Sequence, residues 1–119
     1  MQTKILITGS NGFLGQYLLQ FFAEKGYSVV AHTRQAQTFD HSNISNINFD
    51  LNDNLDNIDL SKVGVIIHCA GRAHVMQETA ISPLEAYRKT NVQGTLNLAQ
   101  KAVQSGVKRF IYLSSIKVN

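Results

Sequence analysis

Three glycines at three-residue spacing, Gly9, Gly12 and Gly15, lie in the segment Thr8-Gly9-Ser10-Asn11-Gly12-Phe13-Leu14-Gly15. Spaced in this way, glycines permit a tight turn, a close approach of backbone to a pyrophosphate, and a close contact between helix and sheet. A helix N-terminus adds unpaired N–H groups and the positive end of its dipole. A glycine-rich strand-to-helix turn can have the same composition and bind nothing. Context separates the two: here an apolar run precedes the triplet and an amphipathic pattern follows it, so the segment points to a dinucleotide phosphate site.

Other residues with chemical potential are arranged around that expectation. At the end of a second strand, an acid would pair with the ribose hydroxyls of NAD and repel a 2′-phosphate. Thr33 stands there, followed by Arg34, whose charge and fork geometry suit a phosphate. The alternative is a solvated loop arginine beside a threonine that tolerates NAD; of NAD and NADP, the pattern favours NADP. Asp50 ends an expected third strand and is either a loop acid or an adenine contact. Asn91 and, nearly one turn on, Gly94 sit inside an expected helix. A glycine there costs about 1 kcal/mol relative to alanine, which implies a close approach. Ser114 and Ser115 follow the last expected strand, where open parallel sheets place reactive groups, although serines there also serve as helix caps. His32, His41, His68, His74 and the single Cys69 have no ligand spacing, so no metal site is expected. His68, within an apolar strand, reads as a hydrogen-bonded core residue rather than a base.

The elements that must position these groups follow from periodicity. Short apolar runs alternate with helical patterns, the signature of a parallel sheet with crossover helices. Strands are expected over residues 4–8, 28–33, 47–49, 63–70 and 107–113, with a helical turn near 55–60. One helix is expected over residues 12–25, carrying Phe13, Leu14, Tyr17, Leu18, Phe21 and Phe22 as its apolar stripe and Gly26 as its stop. A second begins at Pro83, where Ser82 and Glu85 form a capping box. It runs to Gly106 with Leu84, Tyr87, Leu98, Ala99, Ala102 and Val103 as apolar positions.

Composition bounds the reading. The chain has 119 residues, 44% apolar and 16% charged, which suits one domain over residues 1–119 and excludes disorder as its main state. A lone cysteine closes no intramolecular disulfide, and no signal peptide follows Met1, so a cytoplasmic location is expected. No apolar run approaches the roughly 20 residues of a membrane span, so no membrane association is expected. The net charge of +3 comes from scattered lysines and arginines, without the clustered basic footprint of a nucleic-acid binder.

The segment from Thr8 to Gly15 resembles the TGxxGxxG fingerprint of extended short-chain dehydrogenases/reductases. Four further segments resemble that family in the same order: Asp50-Leu51, His68-Cys69-Ala70-Gly71, Asn91-Val92-Gln93-Gly94-Thr95 and Tyr112-Leu113-Ser114-Ser115. Within the family, Gly71-Arg72-Ala73-His74-Val75-Met76 and Ser114-Ser115-Ile116-Lys117-Val118-Asn119 look most like nucleotide-sugar 4-epimerases and 4-keto-sugar reductases of surface-polysaccharide pathways. The resemblance implies an α/β fold, a Rossmann-type doubly wound parallel sheet of about five strands, with a sixth absent from this chain. It places Gly9, Gly12, Phe13 and Leu14, with Asn11 and Gly15 in the same loop, at the pyrophosphate. Thr33 and Arg34 lie at the adenosine ribose, Asp50 and Leu51 at the adenine, Cys69, Ala70 and Gly71 along the cofactor, and Asn91 beside it. Ser114 lines the nicotinamide, and Ser115, the catalytic candidate, hydrogen-bonds the sugar oxygen.

Ile116 and Lys117 stand where the family's 4,6-dehydratases have an Asp-Glu pair, which disfavours dehydration. The family's Tyr-x-x-x-Lys pair is missing, because none of Tyr17, Tyr27, Tyr87 and Tyr112 has lysine four residues later. The expectation is therefore an N-terminal part of an enzyme acting on a nucleotide-diphosphate sugar, inactive by itself. The alternative is a non-catalytic dinucleotide-sensing module. An open last strand containing Phe110, Ile111, Tyr112 and Leu113 further predicts self-association, most simply as a homodimer.

Overall fold

A computed structural model describes residues 3–10, 12–69 and 83–113, with only the backbone of residues 83–91. Its elements are β1 (Lys4–Thr8), α1 (Phe13–Glu24), β2 (Ser28–Thr33), β3 (Ile44–Asn48), β4 (Val63–Cys69), α2 (Pro83–Ser105) and β5 (Arg109–Leu113). The five strands form one sheet in the order β3-β2-β1-β4-β5, and every pairing is parallel. This is the parallel sheet with crossover helices expected from the alternation, in the Rossmann-type α/β arrangement that the family resemblance implies.

The pleat sends alternate residues to opposite faces. Ile5, Ile7, Val29, Ala31, Ile67 and Cys69 pack with Leu19 and Ala23 of α1. Leu6, Val30, Val63 and Ile66 pack with Leu98 and Ala102 of α2, and with Leu60 from the segment before β4. Both helices end in the same way. Gly26 and Gly106 take positive φ, and the paired bonds Gly26 N to Ala23 O and Tyr27 N to Phe22 O recur as Gly106 N to Val103 O and Val107 N to Ala102 O. This is the Schellman stop, and glycine enters the left-handed conformation without a Cβ penalty.

The structure corrects several expectations. The inward line of α1 is Gly15, Leu19 and Ala23, supported by Leu18 and Phe22. Phe13, Leu14, Tyr17 and Phe21 are exposed, Phe13 by 92%. The reason is steric: Gly15 lies against the Gly9 carbonyl, which fixes the rotation of the helix, and positions four and eight residues on then face the sheet. On α2, Leu98 and Ala102 are buried as expected, but Val103 is 80% exposed, one position off that line. β3 begins at Ile44 rather than at residue 47, since Asn43 continues the pairing by accepting from Val29 N. The helical turn expected near 55–60 is a single turn at residues 56–57, closed by Ile58 N to Leu55 O and entered through Asn54 Oδ1 accepting from Asp56 N. β5 starts at Arg109, two residues later than expected. Ser82 of the expected capping box and Ala70, expected to end β4, lie outside the described residues.

Candidate functional site

Parallel strands all end on one edge, so the C-terminal residues of β1, β2, β3 and β4 are brought together there. The turn after β1 is the centre of this edge. Gly9 has φ +70 and sits so close to β4 that a methyl group on it would come within 2.9 Å of the Cys69 carbonyl oxygen. A methyl group on Gly15 would run into the Gly9 carbonyl and come within 2.9 Å of Ser10 Cα. Gly12 N donates to Gly9 O at 3.0 Å. Ser10 is buried and spends its hydroxyl on Ile7 O at 2.8 Å. The turn is thus folded tightly on itself and on β4.

That compactness leaves the start of α1 open. Gly12 is the N-cap residue, makes no side-chain cap, and no acid lies in the first turn. The helix dipole therefore has no anionic partner from its own first turn, which is the condition for receiving an external phosphate. Phe13 and Leu14 present their backbone at this point with their side chains turned to solvent. Asn11 lies outside the described residues.

On the β2 side, Ser10 N donates to His32 O at 3.3 Å, tying the turn to the neighbouring strand. Thr33 is buried, and its hydroxyl is committed: it donates to Gln35 O at 2.5 Å and accepts from Asn46 and Asn48 at 3.0 and 2.8 Å. The residue thus orders the start of the loop. Arg34 extends outward, 75% exposed, with Nε 3.9 Å from Asp50 Oδ2. Asp50 lies on the loop after β3, so this pair joins the loops that follow β2 and β3. Its other oxygen accepts from Asn52 N at 2.9 Å. Leu51 is pinned from the far side by Gly94, where a methyl group would come within 3.1 Å of Leu51 Cβ. Asn97 Nδ2 also donates to Leu51 O at 2.8 Å. The close approach implied by Gly94 is therefore to the Asp50-Leu51 loop.

On the β4 side, Cys69 places its side chain in the apolar layer beneath α1, and burial pushes its thiol above the ordinary value. Its carbonyl and Cβ lie against Gly9 of the glycine turn. His68 points to the opposite face and is 3% exposed. Its ring holds Thr8 Oγ1 at 2.5 Å through Nδ1 and Thr95 Oγ1 at 2.9 Å through Nε2. Burial first, and then the charge of His32, lower its pKa to about 4, so the ring is neutral at physiological pH. This matches the expectation of a hydrogen-bonded core histidine.

His32 is also held below its ordinary value by burial. Its Nε2 donates to Phe49 O at 2.8 Å, and its ring lies 4.2 Å from that of Phe49. Sequence reasoning left this bracket and the Thr8–His68–Thr95 link unassigned. The available signal was a polar residue at the end of each apolar run, on the same pleat parity. Among the described residues, no three histidines, cysteines or acids come together. Ala70, Gly71, Ser114 and Ser115 lie outside the described residues, and Asn91 is placed on α2 by its backbone alone.

Comparison with known proteins gives the geometry a lineage. The sequence model of the NAD dependent epimerase/dehydratase family matches residues 5–118. UDP-glucose 4-epimerase of Vibrio cholerae is 44% identical over 121 residues, covering 100% of this chain and 37% of that protein. The decarboxylating sterol-4-alpha-carboxylate 3-dehydrogenase of Candida albicans is 35% identical over 128 residues, covering 97% of this chain and 35% of its own length. Among solved structures, MoeE5 in complex with UDP-glucuronic acid and NAD superposes with a TM-score of 0.76 at 31% identity, over 94% of this chain and 36% of the other. Gre2 of Candida albicans, solved with NADPH, shares the fold at a TM-score of 0.75 and 20% identity, over 95% of this chain and 37% of its own. The chain spans little more than a third of the length of these relatives.

Proposed function

The chain belongs to the NAD dependent epimerase/dehydratase family, and on that premise we propose that the C-terminal edge of its sheet holds a nicotinamide dinucleotide. In the whole protein this serves hydride transfer at C4 of a nucleotide-diphosphate sugar, as a 4-epimerase or 4-keto-sugar reductase. The observation that carries the reading is the glycine turn: Gly9 and Gly15 leave no room for a Cβ, and the N-terminus they expose has neither cap nor acid. These residues fit a pyrophosphate. When bound, the nicotinamide takes up or returns the hydride.

Backbone N–H groups of Phe13 and Leu14 hold the pyrophosphate, against the turn that Gly9 and Gly12 shape. Asp50 and Leu51 hold the adenine, on a loop kept in place by Gly94 and Asn97. Cys69 contributes its carbonyl side, with Ala70, Gly71, Asn91 and Ser114 continuing along the cofactor and Ser115 at the sugar. Arg34 meets the 2′-phosphate of NADP, its preferred form, by leaving Asp50. The relatives that act on or bind UDP-sugars, the Vibrio cholerae epimerase and MoeE5, support the substrate class. The lone buried Cys69 suits a reducing cytoplasm. At the edge of the sheet β5 exposes Ile111 and Tyr112, which supports self-association through this strand.

Calorimetric titration of the chain with NAD and NADP should show weak saturable binding of both. UDP-sugars should not turn over, because no tyrosine of the chain has the lysine partner that would tune it as a proton-transfer group. Absence of binding to either dinucleotide would overturn the reading. Turnover by the chain alone would overturn the claim that its proton-transfer pair lies elsewhere. Light scattering should report a dimer for the chain and a monomer for Ile111→Lys.

A further inference from the structure

We propose that Thr8, His68 and Thr95 are positioning residues that set α2 against the glycine turn, and that this link governs how tightly the chain holds a dinucleotide. The inference rests on the dinucleotide reading above and deepens it. Thr8 immediately precedes Gly9 and is fully buried. Thr95 immediately follows Gly94, the residue on which the Asp50-Leu51 loop rests. His68 lies between them, 2.5 Å from one hydroxyl and 2.9 Å from the other. A neutral imidazole has one donor and one acceptor nitrogen, and each hydroxyl can play either part. One threonine therefore donates to the ring and the other accepts from it, and both ring nitrogens are satisfied.

The location gives the link its leverage. α2 is attached to the middle of the sheet by Leu98 and Ala102, which pack on Leu6, Val30, Val63 and Ile66. Apolar contacts of that kind are non-directional and permit small rotations of a helix. Thr95 lies one turn closer to the edge where the strands end, and its bond to His68 is directional. His68 is itself braced across the sheet, paired in register with Thr8 on one side and Tyr112 on the other, with its ring 5.5 Å from that of Tyr112. A shift of α2 at this level would move Gly94 and Asn97, and with them Leu51, relative to the Gly9 turn. Both halves of the dinucleotide cradle are thus referred to one ring.

The test uses Thr95→Val, which keeps the shape and removes the hydroxyl, beside Thr95→Ser, which keeps the hydroxyl. NAD titrations of the two variants and the parent chain should give a dissociation constant about ten-fold weaker for Thr95→Val, the loss of roughly one buried hydrogen bond's worth of positioning. Thr95→Ser should stay within about two-fold of the parent. A link that only stabilised the fold would lower the melting temperature and leave the affinity of the folded molecules unchanged, and that result would overturn the proposal. So would equal weakening by Ser and Val. If Thr95→Val does not fold, the parent chain still decides: NAD should shift the His68 ring ¹⁵N resonances, and unshifted resonances would sink the idea. A parent chain that binds neither NAD nor NADP would instead remove the dinucleotide reading, and the link would then have nothing to position.

Discussion

The two faces of the sheet hold their helices by different means. On the α1 face the apolar layer continues to the C-terminal edge through Ile7, Ala31, Ile67 and Cys69, and the helix is seated there by contact of Gly15 with the turn. On the α2 face the layer is apolar through Leu6, Val30 and Ile66 and then becomes polar two residues later in each strand, at Thr8, His32 and His68. There the hydrogen bond between the His68 ring and Thr95 adds a polar link to the apolar seating of the helix. Steric seating tolerates no added atom, whereas polar seating tolerates size but depends on protonation. The two faces should therefore fail under different perturbations.

The largest effect is expected on the steric side. Gly15→Ala places a methyl group into the Gly9 carbonyl, so α1 must move away from the turn that binds phosphate. Overpacking of this kind costs about 1–3 kcal/mol or more, and NAD binding should fall below detection while far-UV circular dichroism retains the helical signal. Binding retained at parental affinity would show that the seating of α1 is looser than the contact implies.

The polar side should be sensitive to pH instead. His68 titrates near 6.5 when unfolded and at about 4 when folded, so protons bind the unfolded chain more tightly. The stability associated with the neutral ring is complete above pH 6.5 and is lost as pH falls towards 4, by on the order of 3 kcal/mol. His32, also lowered by burial, acts in the same direction. Urea denaturation across this range should show a steeper decline for the parent than for His68→Gln. Parallel slopes would remove His68 from the account.

At the rim, the expected effects are smaller. Arg34→Ala should weaken NADP more than NAD by roughly 1–3 kcal/mol, the range for hydrogen bonds to a charged group. Its effect on stability should be slight, because the exposed pair with Asp50 contributes about 0–1 kcal/mol. Equal changes for both cofactors would make Arg34 an ordinary surface residue. The smallest effect is expected for Val103→Gln, at an exposed position, where denaturation should register within about 0.5 kcal/mol of the parent.

The sequence by itself determined the order and type of the strands and both helices, because runs such as Ile5-Leu6-Ile7 and Val65-Ile66-Ile67 suit only strands buried on both faces. It also determined the place of the glycine turn, since tight turns and close contacts restrict residue type locally. The rotation of α1 was not legible. Phe13, Leu14, Tyr17 and Phe21 outweigh Gly15, Leu19 and Ala23 in any pattern of hydrophobicity, and the contact between Gly15 and Gly9 selects the smaller set, flanked by Leu18 and Phe22. The pairing of Arg34 with Asp50, the saturation of the Thr33 hydroxyl by Asn46 and Asn48, and the rest of Leu51 on Gly94 were likewise decided by tertiary structure. Each joins residues on different elements, and which of them meet depends on strand order and register. The same holds for Thr8, His68 and Thr95: their types announce polar groups at the ends of apolar runs, but only the parallel register of β1 with β4, and the seating of α2 above them, turns three separate residues into one buried hydrogen-bonded link.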